Sequence, residues 1–225
     1  MKRITVLLAE DHQIVREGFR SLLEHERDIE VVGEAATGRQ AVQLTRQLRP
    51  SVVVMDIAMP LLNGLEATRQ IRKDFPDTKV LVLSAHSDDA YVEQVAELGA
   101  AGFLLKQTSS HDLATAIREV QKGNTFFSPA ISRRLQRRLQ KSAVRGEASN
   151  RRGNRLSSRE VEVLQLIAEG KPNKQVAAEL GVSFKTVDKH RQHLMAKLNI
   201  HDIAGLTRYA IRAGIIESNV QVTIV

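Results

Sequence analysis

The sequence predicts a two-part chain: a doubly wound α/β domain with a five-stranded parallel sheet in the order 2-1-3-4-5, then a small all-α helix-turn-helix domain. Three observations predict it. Short β-branched runs alternate with helically spaced segments in the first 125 residues, the charge changes sign after them, and the region from Leu156 onward is helical and well punctuated.

The apolar runs are Ile4 to Leu8, Glu30 to Ala35, Val52 to Met55, Val80 to Leu83 and Gly102 to Leu105. Strands that are apolar almost throughout need cover on both faces, so helices should sandwich a parallel sheet through right-handed crossovers. In the first helix Ile14, Phe19, Leu22 and Leu23 are expected to face the core. In the last, Leu113, Ala116, Ile117 and Val120 do so behind a cap-like start at Ser109 and Asp112.

Polar residues sit where each strand stops: Glu10 and Asp11 after the first, Asp56 after the third, Ser84 after the fourth and Lys106 after the fifth. In this fold strands one and three are neighbours, and ligands bind at the carboxyl ends beside that switch point. Three carboxylates would then share one crevice. Their mutual repulsion calls for a cation, and oxygen ligands with room for water suit Mg²⁺.

With 225 residues and no Cys, the chain has no disulfides, thiolate metal sites or cysteine nucleophile. A reducing cytoplasm is the expected location. The opening MKRITVLLAED lacks a small-residue cleavage site and reads as a strand, and no apolar run approaches the length that crosses a bilayer.

Residues 1 to 125 carry 15 basic and 18 acidic side chains, whereas residues 126 to 225 carry 18 basic and 8 acidic. A basic C-terminal part suits a polyanion, because neutralised phosphates release counterions. Membrane binding would want a Lys-rich amphipathic helix with large apolar anchors, and the aromatics here are only Phe126, Phe127, Phe184 and Tyr209.

Residues 1–125 resemble the response-regulator receiver domain. The resemblance rests on Glu10 and Asp11, Asp56 in VVVMDIAMP followed by Pro60 and Gly64, Ser84 in LSA, and Lys106 in GFLLK. It implies that Asp56 accepts a phosphoryl group from a cognate histidine kinase. Glu10, Asp11, Asp56 and the backbone carbonyl of Ala58 would then hold Mg²⁺, Lys106 and Ser84 would contact the phosphoryl group, and Phe103 would act as the switch aromatic. Two departures stand out: Gln107 replaces the proline that often follows the lysine, and Glu10 replaces the commoner Asp.

Residues 126–152 read as a linker. It begins with a short basic helix (Ile131, Leu135 and Leu139 among Arg133, Arg134, Arg137 and Arg138) and continues as the Ser-, Gly- and Arg-rich stretch 141 to 155. Beyond it, Ser157 and Glu160 form a capping box ahead of Val161, Leu164, Ile167 and Ala168, with Gly170 as the stop. A second helix opens at Pro172 and Asn173, turns Val176, Ala177 and Leu180 inward, and stops at Gly181. Ser183 caps a third with Val187, Leu194 and Leu198 inward, and a final helix runs from about Asp202 to Arg212.

A polar, basic helix after a tight Gly-containing turn fits a DNA-reading helix-turn-helix. Residues 153–216 resemble the LuxR-type helix-turn-helix through REVEVL, NKQVA, TV-x-x-H and KL. The resemblance places the helix from Phe184 to Leu198 in the major groove. Lys185, Asp188 and Lys189 are the candidates for base edges, and Thr186, His190 and Arg191 for phosphates. Asp188 either accepts from a cytosine or shapes Lys185 and Arg191. Residues 217–225 are a tail without an assigned role.

The resulting expectation is a phosphorylation-controlled transcription regulator of the NarL/FixJ type that binds double-stranded DNA as a homodimer, with RNA polymerase as a further partner. Ile203, Leu206, Tyr209 and Ala210 are the candidate dimer surface. It is not expected to be a turnover enzyme, beyond the receiver assisting its own phosphorylation and dephosphorylation. One rival is a Mg²⁺-dependent aspartyl-phosphate phosphatase, which usually wants an Asp two residues after its nucleophile, where this chain has Ala58. The other is a regulator indifferent to phosphorylation whose first domain serves dimerisation.

Overall fold

The computed structural model describes residues 3–85, 89–107, 110–127, 132–133 and 156–216. The chain divides into two compact units between Gly153 and Asn154. Most of the anticipated basic helix, the Ser109 cap, the linker stretch and the tail lie outside the described residues.

In the first unit the order is β1 (Ile4–Ala9), α1 (Gln13–Glu24), β2 (Ile29–Ala35), α2 (Gly38–Leu48), β3 (Val52–Asp56), α3 (Gly64–Asp74), β4 (Lys79–Ser84), α4 (Asp89–Glu97), β5 (Gly102–Leu105), α5 (Ser110–Gln121) and β6 (Phe126–Phe127). The sheet runs β2-β1-β3-β4-β5-β6, all parallel, so β1 and β3 flank the switch point as predicted. The five-stranded expectation is one strand short. Phe126 and Phe127 continue the sheet by pairing with Gly102 and Phe103, a contact too short to leave a periodic signal in sequence.

Alternate strand residues feed two cores. Leu7, Val53, Met55, Val80, Val82 and Phe103 belong to one, while Val6, Leu8, Val52, Val54, Leu81 and Leu104 pack on the other face with Leu113 and Ile117 of α5. The expectation for α1 holds for Leu23, which is buried, and for Phe19, which packs against the core. It is corrected for two residues: Ile14 is 85% exposed and Leu22 42% exposed. Helical spacing identifies an apolar stripe but not how much of it the sheet can cover.

The second unit contains α6 (Ser158–Ala168), α7 (Asn173–Leu180), α8 (Phe184–Leu198) and α9 (Ile203–Arg212). Ser157 and Glu160 form the reciprocal capping box, and Ser183 caps α8 by accepting the Thr186 amide at 3.1 Å. Gly181 ends α7 at φ +61°, the left-handed conformation that a Cβ disfavours. Helix α6 is buried over most of its circumference, including Val163 and Leu166, whereas the anticipated Val161 and Ala168 are half-buried. Helix α9 packs on α6. Its Leu206 and Ala210 are fully buried in that contact, so these two are corrected from dimer surface to core; Ile203 stays 52% exposed.

Candidate functional site

Parallel strands deliver all their carboxyl ends to one edge, so residues far apart in sequence meet there. Glu10, Asp56 and Ser84 are buried at that edge, and Asp11 and Lys106 are half-buried. The Lys106 ammonium joins two strands: Nζ lies 3.0 Å from Asp56 Oδ1 and 2.8 Å from Glu10 Oε2. Its backbone amide donates to the Ser84 carbonyl at 2.8 Å, tying the end of β4 to the end of β5.

The loop after Asp56 is fixed by close packing. A Cβ at Gly64 would fall 1.8 Å from the Asp56 carbonyl oxygen, so α3 can start against the end of β3 only with glycine there. Ala58 lies half-buried in the same loop, inside a tight turn in which the Met59 amide donates to the Ile57 carbonyl. Phe103 is buried, packed in the core beside β4 and away from solvent.

Burial pushes the Asp56 carboxyl up to about 6, with the Glu10 charge adding to the effect and Lys106 opposing it. Burial also works against the Lys106 charge, but Asp56 and Glu10 outweigh it and hold the ammonium above its ordinary value. Asp56 Oδ2 is buried with no hydrogen-bond partner, and Glu10 Oε2 and Asp11 Oδ1 accept no well-directed hydrogen bond despite nearby cations. Buried hard oxygens left in this state are what an oxygen-seeking divalent ion satisfies, so the donor set fits Mg²⁺.

His12 was not among the expected site residues. Its Nδ1 lies 2.9 Å from Asp11 Oδ1 and 3.1 Å from Glu10 Oε1, and Asp11 chiefly raises its pKa against the opposing effect of burial. Glu10, Asp11 and His12 bring ligand atoms within 4.8 Å of one another. The sequence signal was a histidine directly after two acids; its ring direction was not legible there.

In the second unit, Lys185 and Lys189 of α8 are exposed, and Thr186, Asp188, His190 and Arg191 are half-buried. The geometry settles what Asp188 touches: its Oδ2 accepts from Gln192 Nε2 at 3.0 Å, not from Lys185 or Arg191. Arg191 Nη1 instead donates to Asn173 Oδ1 at 3.2 Å, joining α8 to the start of α7. Thr186 is spent on the helix cap, its hydroxyl 2.9 Å from the Ser183 hydroxyl. Gln192 and the exposed Phe184 were missed, although Gln192 follows Asp188 at the helical i,i+4 spacing.

The response regulator receiver domain family matches residues 6–118, and the family of bacterial regulatory proteins of the luxR type matches residues 154–210. Response regulator protein VraR of Staphylococcus aureus is 36% identical over 214 residues, covering 95% of this chain and 99% of its own. The chain is a LuxR-type response regulator. As such it is a two-component regulator of transcription, with a receiver followed by a DNA-binding domain. A structure of the RcsB response regulator of Salmonella typhimurium is similar at 30% identity and TM-score 0.60, covering 95% of this response regulator and 99% of that chain. A structure of two RcsB dimers bound to two parallel DNAs is similar at 29% identity and TM-score 0.56, with 94% and 99% covered. Response regulators of this kind thus dimerise and bind DNA. Among the described residues no helix is long and apolar enough to cross a membrane.

Proposed function

We propose that Asp56 is the phosphoryl acceptor of this response regulator and that its modification controls DNA binding through α8. The observation that carries the reading is the buried Asp56 carboxylate, with one oxygen on Lys106 Nζ at 3.0 Å and the other without a hydrogen-bond partner. That second oxygen would be the one to attack phosphorus. As its O–P bond forms, the P–N bond of a kinase phosphohistidine breaks and the imidazole leaves with a proton.

Glu10, Asp11, Asp56 and the Ala58 carbonyl would hold Mg²⁺, which offsets charge on the phosphoryl oxygens when bound. Lys106 stays paired with Glu10 and can shift from Asp56 to a phosphoryl oxygen, while the Ser84 hydroxyl turns to another. As Ser84 and its loop move inward, the Phe103 ring is the group that fills the space left behind. Changing the active fraction a hundredfold needs about 2.7 kcal/mol of preference, within reach of one or two charge-assisted contacts.

On the DNA side, Lys185, Asp188 and Lys189 would face base edges, and His190 and Arg191 would lie near phosphates. A homodimer on paired half-sites, a cognate histidine kinase and RNA polymerase at the promoter are the partners this reading requires, and the cytoplasm is its location. A turnover phosphatase is disfavoured because Ala58 offers no acid or base two residues after Asp56.

Incubation with a small phosphoryl donor and Mg²⁺ should give an acid-stable, base-labile phosphate on the wild type and none on Asp56→Asn. DNA affinity measured on both forms then separates a phosphorylation switch from a receiver that only dimerises. Equal affinity would support the latter.

A further inference from the structure

Resting on the reading of α8 as the base-reading helix, we propose that Phe184 determines specificity by contacting the C5-methyl group of a thymine. Phe184 is the first residue of α8 and is 57% exposed, whereas Val187 and Leu194 on the inner side of the helix are fully buried. An isolated apolar side chain is ordinary on a protein surface. One in the leading turn of a groove-reading helix is different, because that turn is the part that meets base edges.

The surroundings select the occupant. At 100° per residue, Phe184 and Asp188 share one flank of the helix, beside the exposed Lys185, Lys189 and Gln192 on its outer surface. Lys185 and Lys189 place two positive charges beside Phe184 on this face, which suits a polyanion rather than an apolar protein surface. Within the major groove, the thymine methyl is the apolar feature an aromatic side chain can touch.

Asp188 Oδ2 is held by Gln192, which leaves Oδ1 to accept from a cytosine amino group. Four helical residues rise about 6 Å, roughly two base steps, so the thymine read by Phe184 should lie within about two steps of that cytosine.

The test begins with selection of binding sites from random duplexes by the phosphorylated full-length protein at fixed salt. Each thymine of the recovered half-site is then replaced by deoxyuridine, which removes only the methyl group. Wild-type protein should lose about fourfold in affinity at one thymine, the worth of one buried methyl group. Phe184→Ala should bind the thymine and deoxyuridine duplexes equally, with an unchanged helical circular dichroism spectrum, and Phe184→Leu should keep part of the preference. A methyl preference that persists in Phe184→Ala, or a half-site in which no thymine responds, overturns the proposal. Failure to select any duplex would instead remove the DNA-reading role of α8, and this proposal with it.

Discussion

Lys106 Nζ lies 3.0 Å from Asp56 Oδ1, so a cation delivered by β5 neutralises an acid delivered by β3 across the intervening β4. The same ammonium sits 2.8 Å from Glu10, so one cation bridges Asp56 and Glu10. Lys106→Met should leave Glu10 and Asp56 buried together without that cation. Breaking a buried pair from one side costs about 3–5 kcal/mol. Thermal unfolding should show the loss at pH 8 and a smaller one at pH 5, where protonation of Asp56 removes one of the two charges.

The raised pKa of Asp56 makes its own prediction. A carboxyl lifted from 3.8 to about 6 on folding is stabilising in its protonated form below the unfolded value, and that contribution is lost as pH rises through 6. Asparagine imitates the protonated form. In metal-free buffer Asp56→Asn should therefore be more stable than wild type at pH 8, by on the order of 1–3 kcal/mol, and equal to it near pH 4. A constant difference across that range would place the cause outside this titration.

Divalent metal should act on the same strain. At tenfold excess over its Kd, Mg²⁺ bound only by the folded chain adds about 1.4 kcal/mol. Denaturant titrations with and without Mg²⁺ should show this for wild type. Asp11→Ala should remove the Mg²⁺ effect while leaving the metal-free stability nearly unchanged, since Asp11 is half-buried.

In the second unit, burial disfavours the Glu160 carboxylate, but hydrogen bonds from Ser157 and Lys197 outweigh it and keep its pKa depressed. The stability it contributes is present above the ordinary carboxylate range and is lost as pH falls through the depressed value. Ser157→Ala should cost about 1 kcal/mol in urea unfolding of the full chain at pH 7. Glu160→Gln should cost less at pH 3 than at pH 7, because the Lys197 contact at 3.0 Å is lost in both proteins once the acid is neutral.

Lys189 is exposed on α8 and Lys185 stands one turn before it. Lys189→Ala should reduce affinity for the selected operator by about 1–3 kcal/mol if it contacts a base edge, with relaxed preference at one position. A uniform loss across all duplexes, together with a shallower salt dependence, would assign it to phosphate.

What the sequence determined by itself was the first five strands, their parallel arrangement and the chemistry at their ends. Short β-branched apolar runs such as Val52 to Met55 read as strands covered on both faces, and Asp56, Ser84 and Lys106 stop those runs where a parallel sheet gathers them. The caps at Ser157, Gly181 and Ser183 were equally legible, because capping is a local hydrogen-bond requirement. Tertiary structure alone decided the rest. It turned His12 onto both acids, exposed Ile14 in place of burying it, paired Phe126 and Phe127 with β5, and buried Leu206 and Ala210. Each depends on which neighbour reaches a side chain first, and periodicity along one element carries no information about the element packed beside it.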